Sequence, residues 1–170
     1  MTSTGALQVR RRPRARILVV LATVLAAGIG GVWFVNSPPA LPTSDATVTA
    51  STPAGQPIYI GVFAPTADFG RTLRLDGVKV HATSNDAVEV VPLLCRGGTV
   101  GVTTDAAPFC AELVDPEGES LGSGDAIVLE VTSDHPGVVV IDRVRLGYRD
   151  GLQAATQEAG MPAVVNILDR

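Results

Sequence analysis

The chain is poor in the residues from which most catalytic centres are built. It holds two histidines, two cysteines, two methionines and one tryptophan in 170 residues. A serine or cysteine nucleophile needs an imidazole within reach to take its proton, and only His81 and His135 are available. His81 stands near Ser84 at a predicted strand end, a local pairing that reads as a turn. His135 lies in "SDHPG", where proline and glycine already account for a turn. There is no GxSxG elbow. The glycines of "CRGGTVG" are followed by neither a lysine nor a helix pattern, so they serve a turn rather than a phosphate. No second cysteine pair or histidine pair stands near Cys95 and Cys110, which excludes an ordinary zinc site. Aromatics make up only 4% of the chain, too few to build a sugar cleft around a pair of carboxylates. These absences predict no enzyme, no cofactor and no resident metal.

Lysine is scarcer still. Arginine outnumbers it twelve to one, a bias which, with abundant alanine, valine and glycine, points to a high-GC bacterial genome. The basic residues are also unevenly placed. Residues 57–170 carry eight basic against 16 acidic side chains, a net charge near −8, and the other five arginines precede residue 17. So acidic a domain is a poor ligand for nucleic acid or anionic lipid.

What is present begins with those five arginines, Arg10, Arg11, Arg12, Arg14 and Arg16, which run into an apolar stretch, residues 17–35, without a charge. As a helix it would be roughly 28 Å long, close to the hydrocarbon thickness of a bilayer. Trp33 and Phe34 at its far end suit an interfacial anchor, and the arginines predict a cytoplasmic N-terminus. The competing reading, a cleaved signal peptide, expects a shorter apolar region and a small-x-small cleavage site. The sequence favours a retained anchor, with residues 1–16 a basic cytoplasmic tail. Ala26/Gly30 and Ala27/Gly31 have a spacing that lets membrane helices approach closely, although glycine and alanine are ordinary in such helices.

Residues 36–56, rich in Pro, Ser, Thr and Ala, show no hydrophobic period. They predict a disordered linker holding the domain off the membrane. From residue 57 the pattern changes to short β-type runs separated by Gly, Pro and Asp. Eight or nine runs at short spacing predict an all-β fold, an antiparallel sandwich over residues 57–170. In strand spacing alone it resembles the immunoglobulin-like sandwiches of bacterial surface proteins. The two cysteines are too close in sequence for the disulfide of antibody domains, and the only tryptophan lies in the apolar run. The apolar parity switches at Asp76-Gly77, which predicts a bulge or tight turn. Residues 150–160 are the one stretch that could hold a helical turn.

Three constellations remain. Cys95 and Cys110, fifteen positions apart on the expected extracytoplasmic side, predict a disulfide worth roughly 3 kcal/mol. Asp115, Glu117, Glu119 and Asp125 could offer oxygen ligands to Ca²⁺, but the spacing fits no EF-hand, and a solvated hairpin loop is the simpler reading. Arg143, Arg145 and Arg149 fall on one strand face and form a candidate stripe for an acidic partner, or else pair with acids on neighbouring strands. Residues 126–132 and 138–148 predict a hairpin around "SDHPG", with Val131 opposite Val140, Glu130 beside Arg143, and His135 exposed at the loop tip.

The sequence therefore predicts a single-pass membrane protein, N-terminus inside, displaying an extracytoplasmic β-sandwich. Its expected role is binding or assembly at the bacterial envelope, with another envelope protein as partner. The alternative is a small ligand- or metal-binding accessory of metallochaperone type, with His81, His135 and Met161 as its soft ligands. A hydrolase ranks below both.

Overall fold

Alternation of small β-branched and polar residues from residue 48 onward has one outcome, a set of strands that each bury one face. The computed structural model describes residues 13–35 and 37–169, and within the helix the side chains of residues 18–31 and Val35. The basic tail over residues 1–12 lies outside the described residues, as do the side chains of Trp33 and Phe34. Two compact units are present, Met1–Ser37 and Pro38–Arg170.

The first contains α1, Pro13–Val35, 23 residues long. Its proline sits in the first turn, where the missing N–H costs nothing. The side chains over residues 18–31 are exposed all round. Among the described residues no helix is long and apolar enough to cross a membrane. The described side chains of α1, residues 18–31 and Val35, are fewer than the roughly 20 residues a bilayer requires.

The second unit is all β. Its strands are β1 (Val48–Pro53), β2 (Ile58–Phe63), β3 (Leu73–Lys79), β4 (Ala82–Ser84), β5 (Glu89–Arg96), β6 (Val102–Thr103), β7 (Glu112–Val114), β8 (Ser120–Leu121), β9 (Ala126–Thr132), β10 (Gly137–Ile141), β11 (Val144–Asp150), β12 (Gln153–Ala159) and β13 (Ala163–Leu168). They form three sheets, ordered β1-β13-β10-β4, β12-β11-β3-β8 and β6-β2-β9-β5-β7. The first two share three chain runs lying side by side: β3 and β4, β10 and β11, and β12 and β13. Each run breaks at the same level, near His81, Asp142 and Gly160, and the Asp142 N–H donates to the His81 carbonyl across the break at 3.0 Å. The result is a β-sandwich, with the β2-β9-β5 layer facing the layer of long runs. Ile58, Ile60, Ile127, Leu129, Ile141, Leu146, Val165 and Tyr148 are among the buried residues of one core.

The expected bulge at Asp76-Gly77 is present: Gly147 pairs with Gly77 and Tyr148 with Leu75, so Asp76 is the extra residue. Four expectations need correction. Residues 38–56 are not a disordered linker. β1 runs parallel to β13 over six residue pairs, and Leu41, Ala50, Thr52 and Ala54 are buried. The ordered domain therefore starts at Pro38, and its first strand adds a parallel pair to an otherwise antiparallel set. The segment is held by backbone bonds and by single buried residues, which leave no hydrophobic period to read. Residues 150–160 hold no helical turn. They form the turn into β12 and β12 itself, an edge strand whose outward residues, Ala154, Thr156 and Glu158, and half-buried Ala155 and Gln157 carry little signal.

The predicted hairpin does not form either. β9 pairs with β2 and β5, whereas β10 pairs with β13 and β4. The "SDHPG" loop crosses between layers. Ser133 Oγ pins it, donating to the Ala87 and His135 carbonyls at 3.0 Å each. Glu130 accordingly faces Tyr59 and not Arg143. Four consecutive residues of β9, Ala126, Ile127, Val128 and Leu129, are buried. Such two-sided burial belongs to a central strand with both neighbours in place. His135 is exposed, as expected.

Candidate functional site

The segment between β5 and β9 folds back over the outer face of the β2-β9-β5 layer. There Cys95, Val100, Ala106, Ala126 and Val128 make a second, smaller core. Cys95 and Cys110 are joined, with Cα atoms 5.2 Å apart, so the disulfide fastens this flap. The flap supplies both edge strands of the sheet, β6 and β7. Three of its acidic residues are occupied locally. Asp115 accepts from the Glu117 N–H at 2.8 Å, and Asp125 accepts from Gly97 at 3.1 Å and Gly122 at 2.9 Å. Glu119 pairs with Arg96. These carboxylates tie turns together.

On the same outer face, Tyr59 Oη donates to Glu130 Oε1 at 3.2 Å. Burial pushes the Tyr59 phenol above its ordinary value, and the neighbouring Glu130 carboxylate adds to the shift.

The three arginines of the stripe do not present bare charge. Arg143 donates to the Ser44 carbonyl and pairs with Asp45. Arg145 pairs with Glu158 at 3.3 Å and Arg149 with Asp76 at 3.3 Å. Arg143 and Arg145 line a shallow depression of about 350 Å³ together with Lys79, His81, Asp142 and Glu158. Arg149 stands further along β11, outside that depression. His135 precedes β10, at the end opposite His81, and Met161 lines a different, mostly apolar pocket of about 310 Å³ with Val62, Phe63, Val100 and Val102. The soft ligands of a metallochaperone are thus not brought together. Among the described residues no group of three or more His, Cys, Asp or Glu could hold a metal ion.

Sequence reasoning missed Arg71. Its guanidinium donates to Asp150 at 2.9 Å and to the Pro39 carbonyl at 3.4 Å, and lies 5.2 Å from the Phe69 ring centroid. Gln157 holds the same leading segment, accepting from Leu41 N–H at 3.0 Å and donating to the Pro38 carbonyl at 3.4 Å. No local signal marks these residues, since their partners lie far away in sequence.

Also unanticipated is a division of the outer surface of the long runs. Beside β3, β11 and β12 it carries Arg74, Lys79, Arg145, Arg149, Asp76 and Glu158. Beyond the break it carries no charge among the described residues. Val140 stands opposite Val164 on one side and Thr83 on the other, and Val138 stands opposite Asn166. On β1, Thr49 and Ser51 continue the two rows. Val138 is 45%, Val140 46% and Leu168 52% exposed.

No family model matches the chain, and no curated protein or solved structure matches it either.

Proposed function

We propose that the chain is a membrane-anchored, extracytoplasmic binding or assembly module of the bacterial envelope, without catalysis of its own. The observation that carries the binding role is the uncharged outer face of the β1-β13-β10-β4 sheet. It groups three of the domain's exposed large apolar side chains on a surface otherwise rich in charge. Contiguous apolar exposure of this kind marks interaction sites. The arginine cluster and apolar run of residues 10–35 support anchoring with the N-terminus inside, and a disulfide belongs to an oxidising compartment.

The strand arrangement supports an immunoglobulin-like type. β2-β9-β5 corresponds in order to strands B, E and D of that fold, and the three long runs to C, F and G.

A photo-crosslinking residue at Val138, in cells expressing the full chain, should trap a polypeptide. The same residue at Thr156, on the charged half, should not. Equal trapping at both positions, or none at either, would remove the binding face. Alkaline phosphatase fused after Arg170 should be active. An inactive fusion would reverse the topology.

A further inference from the structure

We infer that the uncharged face docks on the same face of a second copy of this chain, with the strands of the two copies antiparallel. The inference rests on the binding role proposed above and names its occupant. Three observations select it.

The first is the absence of charge. Val138, Val140, Val164 and Leu168 alternate with Thr and Asn, and no carboxylate or guanidinium must lose water when two such faces meet.

The second is the charge at the two ends of the face. At the end beyond Ser84, Leu168 and the start of β10 stand Asp86, Asp134 and Asp169, all exposed. At the other end stand Lys79, Asp142, Arg143, Arg145 and Glu158, with Arg143 paired to Asp45 and Arg145 to Glu158, so the cation left to meet a partner is Lys79. Lys79 is exposed, and among the described residues it makes no ion pair. A two-fold axis lying between the faces and across the strands keeps each strand over its own counterpart and reverses its direction. It brings Lys79 of one copy over the acidic end of the other, on the track of Asp86, and it does so twice. Such an isologous contact closes on itself. An acidic partner would find no cation among the described residues of the face, and a basic one would meet acid at one end only.

The third is area. Four strands about 4.8 Å apart and five residues long give a patch of roughly 300–400 Å² on each copy. Stable complexes bury about 800 Å² per partner. The contact is therefore weak in dilute solution, and it becomes populated when anchoring confines the copies and raises their effective concentration.

The test uses whole cells expressing the full chain with Val140→Cys, treated with a mild oxidant. Cys95 and Cys110 are already joined, so the new thiol is the only free one among the described residues. A disulfide-linked species of twice 17.5 kDa is expected, with none for Thr156→Cys. Lys79→Glu should reduce its yield at least about threefold, since like charges then face each other, and adding Asp86→Lys should restore it. Val138→Asp combined with Val140→Cys should reduce the yield at least about tenfold, because an unpaired carboxylate is then buried. Cross-linking to a different polypeptide would overturn the second copy as occupant and leave the binding face standing. No adduct of any kind would overturn both. A dimer indifferent to Lys79→Glu would overturn the antiparallel arrangement.

Discussion

Gly160 is the position where one methyl group should do the most damage. It lies at the break between β12 and β13 with φ +73°, a conformation that costs a non-glycine residue roughly 1–2 kcal/mol. Its surroundings add a second cost. A Cβ built there would lie 2.0 Å from the Val62 carbonyl oxygen and 2.9 Å from the Phe63 Cβ. That oxygen cannot swing aside, because it accepts the Met161 N–H at 3.0 Å at the end of β2. Gly160 also donates to the Pro42 carbonyl and accepts from Ser44, each at 2.9 Å, so any shift loosens the leading segment. Overpacking of this kind costs a further 1–3 kcal/mol, roughly. Gly160→Ala should therefore lose about 2–5 kcal/mol in total. Gly151 is the control. Its φ is +58°, but nothing lies within 4 Å of an added Cβ, so Gly151→Ala should cost only the roughly 1–2 kcal/mol of conformation. Urea denaturation followed by near-ultraviolet circular dichroism, which senses the buried Tyr148, would measure both. At an m-value of about 1–3 kcal/mol/M, the two midpoints should differ by roughly 1 M. Equal midpoints would refute the claim that β2 and the break are in backbone contact.

Replacing both Cys95 and Cys110 with serine should lower stability by about 3 kcal/mol, and should speed amide hydrogen exchange over residues 97–110 more than in β9. Unchanged exchange in the flap would show that the small core alone holds it. Leu41→Ala should cost about 2–4 kcal/mol, as expected of a buried leucine, and proteases should spare residues 43–56 in the native chain. Rapid cutting there would restore the flexible linker. Tyr59 should ionise above its ordinary value in an absorbance titration, and Glu130→Gln should bring it down by removing a neighbouring negative charge. Its raised value means the folded state holds the proton more tightly. That contribution to stability is complete below about pH 10 and is lost as the pH rises through the folded value. A titration indifferent to Glu130→Gln would refute the coupling.

Several features of this protein were legible because their causes are local. The runs at residues 58–63, 126–132 and 163–168 are short, mostly apolar and rich in β-branched residues, and each forms a strand with those bounds. The parity switch at Asp76-Gly77 could be read as a bulge, because one inserted residue flips every side chain beyond it. Cys95 and Cys110 could be paired because two cysteines leave a single connectivity.

Tertiary structure decided the rest. Which strands pair is set by whole layers, so a short loop after β9 was compatible with a hairpin although the chain crosses to the other layer there. The leading segment carries no periodicity, because its order comes from Arg71, Gln157, Gly160 and β13, all distant in sequence. The arginine stripe could be placed on one face from its spacing, but its partners Asp45, Asp76 and Glu158 came from three separate segments. The uncharged face is assembled from β1, β4, β10 and β13, each contributing one to three unremarkable side chains. A surface of that kind exists only after the strands lie side by side, since a sheet brings together residues whose separation along the chain holds no trace of their contact.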